Sequence, residues 1–335
     1  MANPNPVLVD VVRGPIVESR HRGAIAVSDA EGKTVLAIGD VASAIFPRSA
    51  VKALQALPLI TEGAAERFGL SDEELALACA SHSGEAAHVA GVERMLAKAG
   101  LDSSALRCGA HWPVAQAAAA AVARSGAPSP LHNNCSGKHA GFLCVARALG
   151  VDHADYWRPD HPVQQRVRRV LEDFTGATLG EAQCAIDGCS VPTWAVPLDS
   201  LARGFAKFGT GRSISVEHAE AAARLRQACA KAPWFVAGTG RFCTDIMQLL
   251  GERVFVKTGA EGVYCAALPR EGLGIALKCD DGAGRAAQAI MAAVIARYLP
   301  LSTSERTALH RFVHPVLRNW NNFEVGQIRL TEVLS

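Results

Sequence analysis

Strand-forming segments crowd the two ends of this chain and helix-forming segments fill its middle. Val7–Val12, Ala24–Ser28 and Thr34–Ile38 are short, rich in β-branched residues and bounded by turn residues. Asp29–Lys33 between the last two reads as a hairpin loop with Gly32 at the bend. Strand signals return only at Val254–Lys257, Val263–Leu268 and Gly274–Leu277, in a stretch punctuated by Gly259, Gly262 and Gly272. Helical patterns lie between: Arg48–Leu59 after Pro47, His88–Ala99 before Gly100, Pro113–Arg124, Pro162–Phe174 with proline in its first turn, and a helix from a Ser215 cap to Ala232. A last helix runs from Gly284 to Leu299. This order does not alternate strand with helix, so it argues against a doubly wound nucleotide-binding fold. It suits an α+β fold in which one antiparallel sheet, formed from both chain ends, is flanked by helices. No repeat or long linker divides the chain, so one domain over residues 1–335 is expected. The tail after Arg318 has no readable role.

Composition narrows the function. A chain of 335 residues buries about three quarters of its unfolded surface and needs no staple. With 49% hydrophobic and 20% charged residues it is not disordered. The balance of 34 basic against 32 acidic residues gives no field for nucleic acid. The start, Met-Ala-Asn-Pro-Asn-Pro, lacks the charged and apolar segments of a signal peptide, and apolar runs such as Ala286–Ala296 are too short to span a bilayer. Ten cysteines are dispersed without a C-x-x-C pair. These features predict a cytoplasmic protein with reduced thiols, most of them small buried hydrophobes.

Several segments carry chemistry. Ser49-Ala-Val-Lys52 is an S-x-x-K motif at a predicted helix start. Residues three apart share a helix face, so Lys52 is expected to reach the Ser49 hydroxyl, and a desolvated lysine can act as its base. Lys257-Thr-Gly259 closes a predicted strand, and S-x-x-K with a later Lys-Thr-Gly is a pairing found in serine β-lactamases. Between them, Cys79-Ala-Ser81-His-Ser83-Gly-Glu85 supplies another serine, although as a local sequence it also reads as a helix cap. His132-Asn-Asn134-Cys135-Ser-Gly-Lys138-His139 is a polar cluster before an apolar helix, and Asp187-Gly-Cys189 is a turn with a carboxylate and a thiol. Cys135, His139, Asp187 and Cys189 are donors that suit zinc, though none sits at finger-like spacing. Gly238-Thr-Gly240-Arg241 offers backbone N–H groups that could cradle an anion.

Taken together and in this order, Arg48–Lys52, Cys79–Ser83, Asn134–His139, Asp187–Cys189, Gly240–Cys243 and Lys257–Gly259 resemble the rhizobial-type L-asparaginases, class 3 or the asparaginase II family. The resemblance runs from about Val9 to about Pro315. It implies a fold similar to serine β-lactamases and serine-dependent glutaminases, and hydrolysis of L-asparagine to L-aspartate and ammonia. It implies two Ser–Lys tandems, Ser49 with Lys52 and Ser81 with Lys257. It also implies a zinc site at Cys135, Lys138 and Cys189, completed by water, that tunes substrate binding. Spacing alone does not choose Lys138 over His139. Arg48, Asn134, His139 and Asp187 match positions around the substrate or the metal, and a homodimer is expected. On this reading Ser49 attacks the amide with Lys52 as base, and the second tandem relays protons or holds water. The rivals are a serine-dependent glutaminase or another β-lactamase-like amidase, and, from a different class, a non-catalytic metal-binding or redox protein built on Cys135, Cys189 and Cys243.

Overall fold

In the computed structural model, which describes residues 4–334, strands from both chain ends share one antiparallel sheet. Met1, Ala2 and Asn3, on which the reading of the N-terminus partly rests, lie outside the described residues. The sheet runs Val316–Arg318, Glu324–Leu330, Val7–Arg13, Ile16–Asp29, Leu273–Cys279, Val263–Leu268 and Phe255–Thr258. Strand Ile16–Asp29 joins its two parts. The first half pairs with Val7–Arg13, where Val9 faces His21. The second half lies between Thr34–Ile38 and Leu273–Cys279, where Ala26 faces both Ala37 and Ala276.

Two parts of the main sheet go beyond the sequence expectation. The strand around Ala24–Ser28 begins at Ile16, because Glu18, Arg20 and Arg22 face solvent while the strand still pairs with Val7–Arg13. Their charge hides the strand from a reading based on apolar alternation. The tail holds the hairpin Val316–Arg318 and Glu324–Leu330, which extends the sheet beside Val7–Arg13. Other boundaries shift by a few residues: the predicted Pro113–Arg124 helix is Gln116–Ser125, and Arg48–Leu59 is not one helix. It breaks into a 3-10 turn at Arg48–Val51 and short turns at Lys52–Gln55 and Pro58–Thr61. Pro58 carries no N–H to continue a ladder, and Arg48 has a left-handed φ of 51°, outside helical geometry.

Helix Leu198–Thr210 packs on strands Leu273–Cys279, Ile16–Asp29 and Val263–Leu268, and Gly284–Tyr298 packs on two of the same strands. Every residue of Val263–Leu268 is buried, so both faces of the sheet are covered there. Helices Asp72–Ala78, Ala86–Lys98 and Ser136–Leu149 pack together. The Arg48–Val51 turn contacts strands Phe255–Thr258 and Val263–Leu268. It thereby places the first tandem motif beside the last.

Candidate active site

Local sequence explains how distant motifs meet. Helix Asp72–Ala78 starts in a capping box, in which Ser71 accepts from the Glu74 N–H and Glu74 accepts from the Ser71 N–H. Three acidic residues, Asp72, Glu73 and Glu74, favour its positive end. The helix stops at Cys79, and the chain leaves it extended, with the Ser81 N–H donated to the Val236 carbonyl at 2.9 Å. Helix Ser136–Leu149 packs beside it. The His82 ring ties the two together by donating Nε2–H to Ser136 Oγ at 2.9 Å, while its Nδ1 accepts from the Gly84 N–H. Burial therefore holds the His82 ring neutral, its pKa well below the usual histidine range. At the sheet edge, a Cβ on Gly259 would stand 2.6 Å from the Pro47 carbonyl. Only glycine lets Lys257–Gly259 lie this close to the segment that begins the first tandem.

Ser81 is where the motifs converge. It is 5% exposed and lies between two wholly buried lysines. Lys257 Nζ stands 2.8 Å from Ser81 Oγ and 3.0 Å from the Thr258 carbonyl. Lys52 Nζ is 3.1 Å from the same Oγ, 2.7 Å from the Ala80 carbonyl and 3.2 Å from the Asn134 carbonyl. Three acceptors match the three N–H donors of an ammonium, so this setting suits a charged Lys52. Lys257 differs. Burial, then the charge of Lys52, bring its pKa down to about 7; Cys243 opposes this and Arg241 adds to it. A neutral Lys257 donates one N–H to Thr258 and has a lone pair for the Ser81 proton. Lys52 then stands ready to stabilise the alkoxide. Ser49 is half-buried, and no protein group among the described residues hydrogen-bonds its hydroxyl. The expected Lys52–Ser49 bond is thus replaced by Lys52–Ser81, because the segment begins as a 3-10 turn with a left-handed Arg48 and not as a regular helix.

A second cluster gathers Cys135, Lys138 and Cys189, all buried. Lys138 Nζ donates to Cys189 Sγ at 3.1 Å, Cys135 Sγ lies 3.1 Å from Asn134 Oδ1, and Cys189 Sγ lies 3.9 Å from Asp187 Oδ2. A hydrogen bond from Cys189 pulls the Cys135 thiol well below its usual pKa and pushes Cys189 up. Burial alone would lower Lys138, but the hydrogen bond to Cys189 and the charges of Cys135 and Asp187 outweigh it and raise the pKa. Asp187 in turn is held below the carboxylate range, against burial, by Lys138 and by Arg48, whose Nε donates to Asp187 Oδ1 at 2.5 Å. Two ligands on tetrahedral zinc, with bonds of about 2.1 and 2.3 Å, stand about 3.6 Å apart. The 3.1 Å amine–sulfur contact is within a small relaxation of that, so the donor set fits a thiophilic cation. Among the described residues no three His, Cys, Asp or Glu side chains form a metal-binding group, so an ion here would depend on the lysine.

A family model described as L-asparaginase II matches residues 9–330. The chain belongs to the L-asparaginase II family. As a member of the L-asparaginase II family it is an amidohydrolase. No curated protein sequence matches it. Among solved structures it is similar to a β-lactamase from Mycobacterium bovis, with 15% identity over 82% of this chain and 94% of that one and a TM-score of 0.43. It is also similar to a protein titled Mglu, at 15% identity over 79% of this chain and 64% of that one, with a TM-score of 0.35. Likenesses this loose decide nothing about the chain.

Within this L-asparaginase II family member, the candidate residues other than Ser49 divide into three groups. Lys52, Ser81, Lys257 and the Asn134 carbonyl meet at one point. Arg48, Asp187, Cys189, Lys138 and Cys135 form a continuous chain of contacts beside it. His139 is turned away into the core. Tyr156 accepts the Arg107 N–H, so its own hydroxyl proton goes to His139 Nδ1 at 2.6 Å, and the buried Nε2–H is left without a protein partner. Sequence reading missed the carbonyls of Ala80 and Asn134, since a backbone acceptor leaves no mark in residue type. It also missed His111, whose Nε2 accepts the Asn134 N–H at 2.9 Å.

No helix among the described residues is long and apolar enough to cross a membrane. All ten cysteines are free thiols.

Proposed function

We propose that the protein hydrolyses L-asparagine to L-aspartate and ammonia through a Ser–Lys acyl-enzyme. The observation that carries this reading is the Ser81 hydroxyl held between a lysine shifted to about 7 and a second, fully hydrogen-bonded lysine. Neutral Lys257 takes the Ser81 proton as Oγ attacks the side-chain amide carbon. The charged Lys52 stabilises the developing alkoxide. Protonated Lys257 then returns its proton to the departing nitrogen, ammonia leaves, and water repeats the cycle on the ester. Family membership supports the amidase chemistry. The choice of asparagine over glutamine rests on the resemblance, because one methylene changes a pocket's preference by only about 1–3 kcal/mol.

A second reading makes Ser49 the nucleophile. Its greater exposure favours it, since an attacking oxygen must be reached by substrate. In that case Ser81 and Lys257 relay the proton. Rapid quenching of a turnover mixture followed by peptide mapping separates the two: a β-aspartyl adduct on Ser81 supports the first, and one on Ser49 the second. Absence of ammonia release from either asparagine or glutamine contradicts both.

We further propose that Cys135, Lys138 and Cys189 hold a zinc ion. Bound there, zinc would supply a fixed positive charge beside the pocket. Asp187 and Arg48 would keep the Asp187–Cys189 turn in register with the Arg48–Lys52 segment. The thiols call for a reducing, cytoplasmic setting, and the family resemblance supports a homodimer, which light scattering would test.

A further inference from the structure

The Gly238-Thr239-Gly240-Arg241 loop is built tightly against the Ser81–Glu85 segment, yet the reaction above gives it no part. Glu85 accepts the Thr239 N–H at 2.9 Å and its hydroxyl at 2.8 Å, and Thr239 Oγ1 accepts from Trp234 Nε1 at 3.0 Å. Thr244 Oγ1 accepts the Gly238 N–H at 3.2 Å. A Cβ on Gly238 would fall 2.6 Å from Glu85 Oε1 and 2.8 Å from Ser83 Oγ, and the residue has a φ of 117°. These contacts fix Arg241, which begins helix Phe242–Leu250 in extended backbone.

The Arg241 side chain is half-buried and points to the site. Nη1 donates to Ser83 Oγ at 3.2 Å, and Ser83 passes its own proton to the Ala237 carbonyl at 2.9 Å. That bond uses one of five guanidinium donors. Among the described residues no carboxylate lies within ion-pair distance of Arg241, whereas the Arg48 fork is already engaged with Asp187. Lys52 and Arg241 therefore bring positive charge to Ser81–Ser83, while Glu85, the carboxylate against the same segment, is taken up by the Thr239 N–H and hydroxyl. The field is felt: Arg241 is among the charges that lower Lys257. A guanidinium with free donors and no ion-pair partner beside a second cation calls for an anionic ligand. A planar fork suits a carboxylate, which it can bind with two parallel hydrogen bonds.

We infer that Arg241 binds the α-carboxylate of the amino-acid substrate and so selects free amino acids over amides that lack this group. The inference rests on the amidase reading. In asparagine the carboxylate is separated from the reacting amide by only two carbons, and the Arg241 contact at Ser83 is two residues from Ser81. One small zwitterion can thus place its amide at the hydroxyl and its carboxylate on the fork.

The test compares wild type, Arg241→Gln and Arg241→Lys on two substrates and two ligands. β-Alaninamide is asparagine without the α-carboxylate, and β-alanine is aspartate without it. In Arg241→Gln, KM for L-asparagine is expected to rise about 10- to 100-fold, with β-alaninamide turnover nearly unchanged. Arg241→Lys should recover part of the loss, because it keeps the charge and loses the fork. By calorimetry, wild type should bind L-aspartate more tightly than β-alanine, and Arg241→Gln should not. A structural role for Arg241 would weaken both substrates alike; that result, or an unchanged preference in Arg241→Gln, overturns the assignment. If wild type binds L-aspartate through Arg241 but releases ammonia from neither asparagine nor glutamine, the amidase reading fails while the carboxylate site stands.

Discussion

Two buried lysines, Lys257 and Lys138, differ in one respect that sets their chemistry. Both are removed from water, which by itself lowers the pKa of an amine. Around Lys257 stand a hydroxyl, a carbonyl and the cation of Lys52, so burial wins and the amine falls to about 7. Around Lys138 stand Cys135 with its lowered pKa, the Asp187 carboxylate and a hydrogen-bonding Cys189, and together they override burial and raise it. Equal burial therefore gives a poised base in one place and a persistent cation in the other. The sign of the neighbouring charge decides between proton transfer and ion pairing or, once the proton is displaced, metal ligation.

The comparison can be broken by removing each amine. Lys257→Met should lower kcat about 10²- to 10⁴-fold, as expected for loss of a general base, with the fold retained. Lys138→Met should act mainly on KM and on bound metal. A similar kcat loss in both, with metal content unchanged, would erase the distinction. Next in size is metal removal. Chelation, or Cys135→Ser, should strip zinc measured by elemental mass spectrometry and raise KM, while kcat stays within a factor of a few. A collapse of kcat would instead give the metal a part in the chemical step. The smallest effect concerns how the Lys257 strand is seated. Gly259→Ala puts a Cβ against the Pro47 carbonyl and should cost about 1–3 kcal/mol in denaturant unfolding. It should lower turnover without moving zinc content, because Gly259 seats one cluster and not the other.

Much of this was legible in the sequence because motifs carry residue type and order. The sheet from both ends followed from where β-branched runs lie, whereas the Ser81–Lys257 tandem and the choice of Lys138 came only with the family resemblance. What could not be read is direction. The i, i+3 rule assumes a helix, and the left-handed Arg48 ahead of Ser49 removes that premise, so Lys52 turns to Ala80, Ser81 and Asn134 instead. Lys138 and His139 are neighbours on one helix, and only packing shows that the first faces Cys189 while the second faces Tyr156. The strand Glu324–Leu330 was hidden for another reason: Ile328 is its one buried residue, so no alternation marks a buried face.

The pH dependence of kcat/KM for L-asparagine hydrolysis tests the poised lysine most directly. Lys257 must be neutral to accept the Ser81 proton, so activity should rise as pH increases through a midpoint of about 7. The charge of Lys52 depresses that value, so in Lys52→Met the midpoint of the residual activity should move upward. A profile that is flat from about pH 6 to about pH 10, or a midpoint unmoved by Lys52→Met, would contradict a base made by burial beside a cation.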